Sequence, residues 1–164
     1  TLIWGEGPSP DCLTRFPQCD WTKNGSKYDD ESLSLFTGVI GPRLWIRIAQ
    51  ITDGLSHTPI VAEKYLNSNN YENGEDGSDS SSMYSGHDKD TNRTFQNFEK
   101  VAAFQPLQDT PGVGTASHRF GSVHSAGFYA ALCDGSVQLI NYDVDPLVYL
   151  AMGTIAGGET DKQQ

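Results

Sequence analysis

The chain has 164 residues, long enough to bury a real core as one domain and too short for two full ones. Its 21 acidic residues against 11 basic ones give a formal charge of -10, which leaves no platform for neutralising phosphates and excludes nucleic acid as the expected partner. With 37% hydrophobic residues, 17 glycines and 8 prolines, the composition suits a loop-rich β or α+β domain rather than a helical bundle, and no apolar run approaches the length needed to span a bilayer.

Thr1 to Lys27 is rich in Gly, Pro and Trp and reads as an ordered loop pinned by Trp4, Phe16 and Trp21. Within it Cys12 and Cys19 stand among Pro8, Pro10 and Pro17, close enough in sequence to close a small disulfide ring in an oxidising compartment; joined and free forms both stay open. Asp29 to Phe36 fits one short helical turn, and Arg43 to Ile51 alternates well enough for a strand or a short helix. Thr52-Asp-Gly-Leu-Ser-His57 is a turn. Thr58 to Leu66 is a strand, with Pro59 near its start, where a missing N–H is tolerated.

Asn67 to Asp90 is a long acidic loop carrying Glu72, Glu75, Asp76, Asp79, Asp88 and Asp90 with almost nothing apolar. Phe95 to Leu107 mixes aromatic and apolar residues, Pro111-Gly-Val-Gly114 breaks the chain, and a further strand follows around His118 to Val123. The apolar runs Gly127 to Cys133 and Ser136 to Tyr142 then flank Asp134-Gly135, the dipeptide favoured by a two-residue type I′ hairpin turn. Phe128, Ala130 and Leu132 alternate with Tyr129, Ala131 and Cys133, so both hairpin faces read as apolar and buried and the hairpin as central to its sheet. Finally, Asp145 as N-cap and Pro146 at the first helical position open a short helix that ends at Gly153.

Three chemistries present themselves. Ser117, His118, Ser122, His124, Ser125 and Asp134 lie close in sequence, but there is no Gly-x-Ser-x-Gly elbow, and His124 and Asp134 fall at opposite ends of one strand, so the residues do not make a hydrolase site. The plainer reading has His124 capping or bonding a neighbouring loop and Asp134 setting the turn. Asp76, Asp79, Asp88 and Asp90 are hard oxygen ligands of the kind calcium accepts in irregular loops, although the EF-hand spacing is not matched and such loops are commonly just solvated. Cys133, next to the turn, reads as a small buried hydrophobe. No Cys-x-x-Cys pairing points to zinc.

Five ordered blocks resemble a known family. They are Ile51-Thr-Asp-Gly-Leu-Ser-His-Thr-Pro-Ile-Val-Ala-Glu-Lys64, Met83-Tyr-Ser-Gly-His-Asp-Lys-Asp-Thr-Asn-Arg93, Phe120-Gly-Ser-Val-His124, Cys133-Asp-Gly-Ser-Val137 and Ala156-Gly-Gly-Glu159. The first fits the Ile-Thr-Asp-Gly-Thr-Ser-Asn-Thr pattern before a strand ending in Gly-Glu-Lys or Gly-Glu-Arg, with His57 for Asn and Ala62 for Gly. Ser125-Ala126 stands where Pro-Gly is common. The family is that of planctomycete-type prepilin-like proteins with a C-terminal His-x9-Asp-Gly domain, also filed as a domain of unknown function and as a bacterial extracellular solute-binding family.

The resemblance implies a pseudopilin-like subunit whose basic leader and long hydrophobic helix are missing from this sequence, leaving the globular head displayed outside the inner membrane. By the same analogy Asp53-Gly54 is a turn, Glu63 a strand-end acid, and Asp90 with Arg93 an internal ion pair; His124, Asp134 and Gly135 carry the signature.

The expectation is therefore one α+β, β-rich domain over 1–164, an antiparallel sheet with a central hairpin, long loops and a short C-terminal helix. Residues 1–50 form its aromatic N-terminal region and 51–159 its family core, which contains the acidic loop 67–90. The expected function is non-enzymatic: an exported structural subunit that self-associates or joins related pilin-like subunits, touching a membrane only through the upstream helix. The alternative is an extracellular module binding a solute, glycan or calcium; no cofactor is required, and calcium is the one candidate.

Overall fold

The computed structural model of the protein describes residues 2–4, 37–41, 45–80, 82, 84, 90–97, 102–112 and 118–157. Among them the strands are β1 (Leu2–Trp4), β2 (Pro59–Ala62), β3 (Asn92–Thr94), β4 (Gln96–Asn97), β5 (Ala102–Ala103), β6 (Leu107–Gln108), β7 (Gly121–Ser122), β8 (Gly127–Leu132) and β9 (Val137–Asn141), followed by helix α1 (Pro146–Ala151). The main sheet runs β3-β1-β2-β8-β9, antiparallel throughout except for the parallel β1–β3 pair. Two small ladders, β4–β5 and β6–β7, stand beside it. The protein is β-rich with one short C-terminal helix, an α+β fold.

Alternation along the hairpin decides where the core lies. Phe128, Ala130 and Leu132 of β8 and Ile140 of β9 project to one side and are buried. With Ala62, Phe95, Phe120 and Tyr149 most of them form one cluster. Phe120 and Phe128 stack at 5.8 Å, while Phe95 meets Phe120 and Tyr149 at 4.7 Å each. Such aromatic pairs add roughly 0.5–1.5 kcal/mol each beyond the burial of their area. Asp145 Oδ1 accepts from the amides of Leu147 (2.8 Å) and Val148 (3.3 Å), Pro146 opens α1, and Tyr149 is its buried residue. Gly153 ends it at close quarters, since a Cβ there would stand 2.9 Å from Phe95 Cβ.

Three expectations change. The second hairpin face is open: Tyr129, Val137 and Leu139 are 45%, 64% and 41% exposed, because nothing among the described residues is layered over that side. The hairpin puts β8 inside the sheet and β9 at its edge, rather than lying wholly at the centre. The turn is not two residues long. Leu132 N–H donates to Ser136 O (2.8 Å), Gly135 N–H donates to Leu132 O (2.9 Å), and Gly135 has φ +87. This is a three-residue loop closed by a left-handed residue that bulges the ladder. Its cause lies elsewhere in the chain, because the amides of Cys133 and Asp134 donate to Thr58 O (2.9 Å) and Leu55 O (3.2 Å) and hold the loop against the turn before β2.

In the N-terminal stretch read as a loop, Leu2–Trp4 is a strand paired with β2 and β3. Arg43 to Ile51 contributes a 3-10 turn at Ile48–Gln50. Cys12, Cys19, Phe16, Trp21 and the helical turn read at Asp29 to Phe36 lie outside the described residues.

Candidate functional site

The open face of the sheet holds a hollow of about 720 Å3. Ala131 is at its centre because pairing sets it beside Val61 of β2 and Val137 of β9. A small residue between larger ones makes the concavity, and Tyr129 forms its next wall along β8. Its lining is mostly apolar, and polar groups enter at one end through Glu63, Lys64, Asp90 and Thr91.

Glu63 is fixed where β2 leaves the ladder. Its Oε2 accepts the Tyr129 N–H (2.8 Å), its own N–H donates to Tyr129 O (3.1 Å), and its Oε1 stands 3.5 Å from His124 Nε2, an ion pair when the imidazole is protonated. The His124 ring meets Tyr129 edge-on at 5.4 Å. The His124 amide donates to Ser122 Oγ (3.1 Å), and the Tyr142 hydroxyl lies 3.0 Å from the carbonyl oxygens of both Ser122 and His124. The His124 ring thus faces Glu63, just beyond the end of β2.

Lys64 points the other way. Its ammonium donates to Asp79 Oδ1 (2.6 Å), Ser78 O (2.8 Å) and Asp90 O (3.0 Å), tying the acidic loop and the approach to β3 onto β2. Asp76 is likewise occupied, accepting from Asn67 N–H (2.7 Å) and from the Ser78 amide (2.8 Å) and hydroxyl (2.6 Å). Burial alone would raise its pKa, but those hydrogen bonds and the charge of Arg93 outweigh it and hold the carboxyl below the usual range. Asp90 and Arg93 are both buried, and Arg93 Nη1 donates to Asn92 O (2.9 Å). Asp88 lies outside the described residues, among which no group of three or more His, Cys, Asp or Glu is placed to hold a metal ion.

The other motif residues lie away from the hollow. Asp53 Oδ2 accepts from Thr154 Oγ1 (3.1 Å) and Gly157 N–H (2.9 Å), so the Asp53-Gly54 turn, with Gly54 at φ +99, anchors the segment after α1. Asp134 Oδ1 accepts from the Ser136 amide (2.8 Å) and hydroxyl (2.7 Å) within the hairpin loop. Those two bonds, side chain first, keep its pKa below the usual carboxylate value. Burial and then Asp134 push the Cys133 thiol up, away from the reactive thiolate. The Ser122 hydroxyl donates to Gly127 O (2.9 Å), and His118 stacks on Phe104 at 5.9 Å.

The apolar floor formed by Val61, Tyr129, Ala131 and Val137 was missed in the sequence because its residues look like core. Exposure of one sheet face is set by what covers it, which alternation does not encode. The Glu63-Lys64 dipeptide at the end of β2 was the available signal for the polar end.

The family model described as protein of unknown function (DUF1559), short label SBP_bac_10, matches residues 18–147. The chain belongs to the DUF1559 family. The matched span holds β2, the hairpin and the whole lining of the hollow. Neither the curated proteins nor the solved structures gave a match. The DUF1559 label is that of a bacterial extracellular solute-binding family, which suggests an extracytoplasmic place. Among the described residues of this DUF1559 chain no helix is long and apolar enough to cross a membrane.

Proposed function

We propose that this chain is the non-enzymatic globular head of an exported, pseudopilin-like subunit, and that the hollow on its sheet seats an apolar helix of a pilin-like subunit during assembly of a filament or secretion-associated fibre. The observation that carries the reading is the open apolar face, where Val61, Tyr129, Ala131 and Val137 are aligned across three strands without a covering layer among the described residues. A continuous apolar sheet face of this kind fits the stripe of an amphipathic or hydrophobic helix, whose side chains at three- and four-residue spacing would fall on either side of Ala131. The small, polar-ended pairing of Glu63 with His124 marks one end of that seat and gives the helix a direction.

A second reading is a solute-binding module, favoured by the Glu63 carboxylate at one end of the hollow and by the family label. The shallow, open form of the hollow argues for a helix over a small solute, because small-molecule sites generally enclose most of the ligand. A photo-cross-linking residue in place of Ala131, expressed in the native cell, tests the two. Adducts with a pilin-like subunit support the proposal, and adducts confined to small molecules, or none, overturn it.

A further inference from the structure

The outer edge of β9 carries a second surface, distinct from the hollow. In an antiparallel ladder the backbone groups of successive residues point alternately toward and away from the neighbouring strand. Tyr129 sets the phase here, because both its N–H and its C=O are bonded to Glu63 on the β2 side. Its partner Leu139 therefore sits at a position where β8 and β9 do not exchange hydrogen bonds, and the N–H and C=O of Leu139 point away from β8. By the same period of two, those of Val137 do as well, as does the N–H of Asn141, whose C=O already accepts the Val144 N–H (3.3 Å) in the turn that follows. Among the described residues no strand lies on that side.

Edges of this kind are usually blunted by lysine, proline or an inward charge. β9 reads Val137-Gln138-Leu139-Ile140-Asn141 and has none of these. From Gly127 to Tyr142 the one charged residue is Asp134, in a chain whose formal charge is -10. The hairpin edge is thus a strip where two copies of an acidic protein approach with little repulsion.

We propose that β9 is a self-pairing edge, through which two copies of this chain join antiparallel about a two-fold axis at Leu139. Leu139 then exchanges N–H···O bonds with Leu139 of the second copy, and Val137 pairs with Asn141 at either side. The two main sheets continue into one, and their open faces become contiguous. The acids nearest the seam, Asp134 and Asp143, fall just beyond its ends, each near the other's counterpart on the second copy, so added salt strengthens the dimer. This inference does not depend on what the hollow seats.

Sedimentation equilibrium of the 164-residue chain across micromolar to millimolar concentration tests it. The expected result is a monomer–dimer equilibrium that tightens with salt. Leu139→Pro removes an outward N–H without touching a β8–β9 bond, and Leu139→Lys places a charge on the seam. Each should weaken dimerisation about tenfold or more, with circular dichroism showing that the fold persists; if the proline variant unfolds, the lysine variant carries the test. Val61→Lys alters the hollow but not the edge and should leave the dimer constant unchanged while abolishing the Ala131 cross-link, so the two proposals fail separately. A wild-type chain that stays monomeric, or a dimer that both Leu139 variants leave intact, overturns the pairing; so does capture of only an extended peptide of another protein.

Discussion

Lys64→Met removes one ammonium that bonds Asp79, Ser78 O and Asp90 O, at 2.6, 2.8 and 3.0 Å. The side chain of Lys64 is 19% exposed and that of Asp79 is 45% exposed, so the carboxylate contact is solvent-screened and contributes on the order of 0.2–1 kcal/mol. The two carbonyl contacts are part-buried. Hydrogen bonds from charged donors contribute roughly 1.5–3 kcal/mol each, discounted toward ~1 kcal/mol here because Met still fills the stem's volume and water can reach the carbonyls. The expected loss is therefore about 2–3 kcal/mol, which at a urea slope of ~2 kcal/mol/M lowers the unfolding midpoint by about 1–1.5 M. Because the same ammonium holds Ser78 and Asp79, limited proteolysis should cut the 67–80 segment faster in the variant. An unchanged midpoint together with an unchanged cleavage rate would refute the claim that Lys64 is what holds the acidic loop to the sheet.

Gly121→Ala would place a Cβ 2.0 Å from Leu107 O and 3.0 Å from Tyr65 Cβ, both on backbone-fixed positions, so the β6–β7 ladder must open; a loss of about 3 kcal/mol or more in chemical unfolding is expected. Asp134→Ala should lower the melting temperature at neutral pH and converge with wild type in acid: a depressed folded pKa contributes stability above the unfolded value, and that contribution fades as pH falls through the folded one. Tyr71 donates to Asp109 Oδ2 (2.5 Å), and burial, then that bond and the Asp109 charge, push its pKa up to about 12. A raised pKa reverses the sign, so the stabilisation is complete below the phenol's ordinary value of 10.0 and is lost as pH climbs toward 12. Tyr71→Phe should flatten that part of the wild-type stability profile, and identical alkaline limbs would contradict it.

How much of this was legible depended on how local each determinant is. Helix α1 was readable because its signals, Asp145 at the N-cap and Pro146 at the first position, act on their own turn. The hairpin strands were readable from alternation, and Asp134 from its own bonding two residues ahead. The turn length was not, because Cys133 and Asp134 donate their amides to Thr58 and Leu55, contacts no window around the turn contains. Gly121 reads as any glycine within a short strand; only the approach of Leu107 explains it. The same holds for the hollow. Tyr129, Ala131 and Val137 carry the apolar character of a core, and which of the two hairpin faces is covered is decided by Phe95, Phe120 and Tyr149, which pack on the other side. Glu63 and His124 stood in separate motif blocks whose meeting across β2 and β8 depends on register.

The measurement closest to the central claim is electron microscopy of native material labelled with an antibody to this chain, combined with the cross-link from position 131. The expected result is label repeating along fibres and adducts that place an apolar helix against Val61, Tyr129 and Val137. Label found only on isolated particles, with no helix captured on that face, would contradict it.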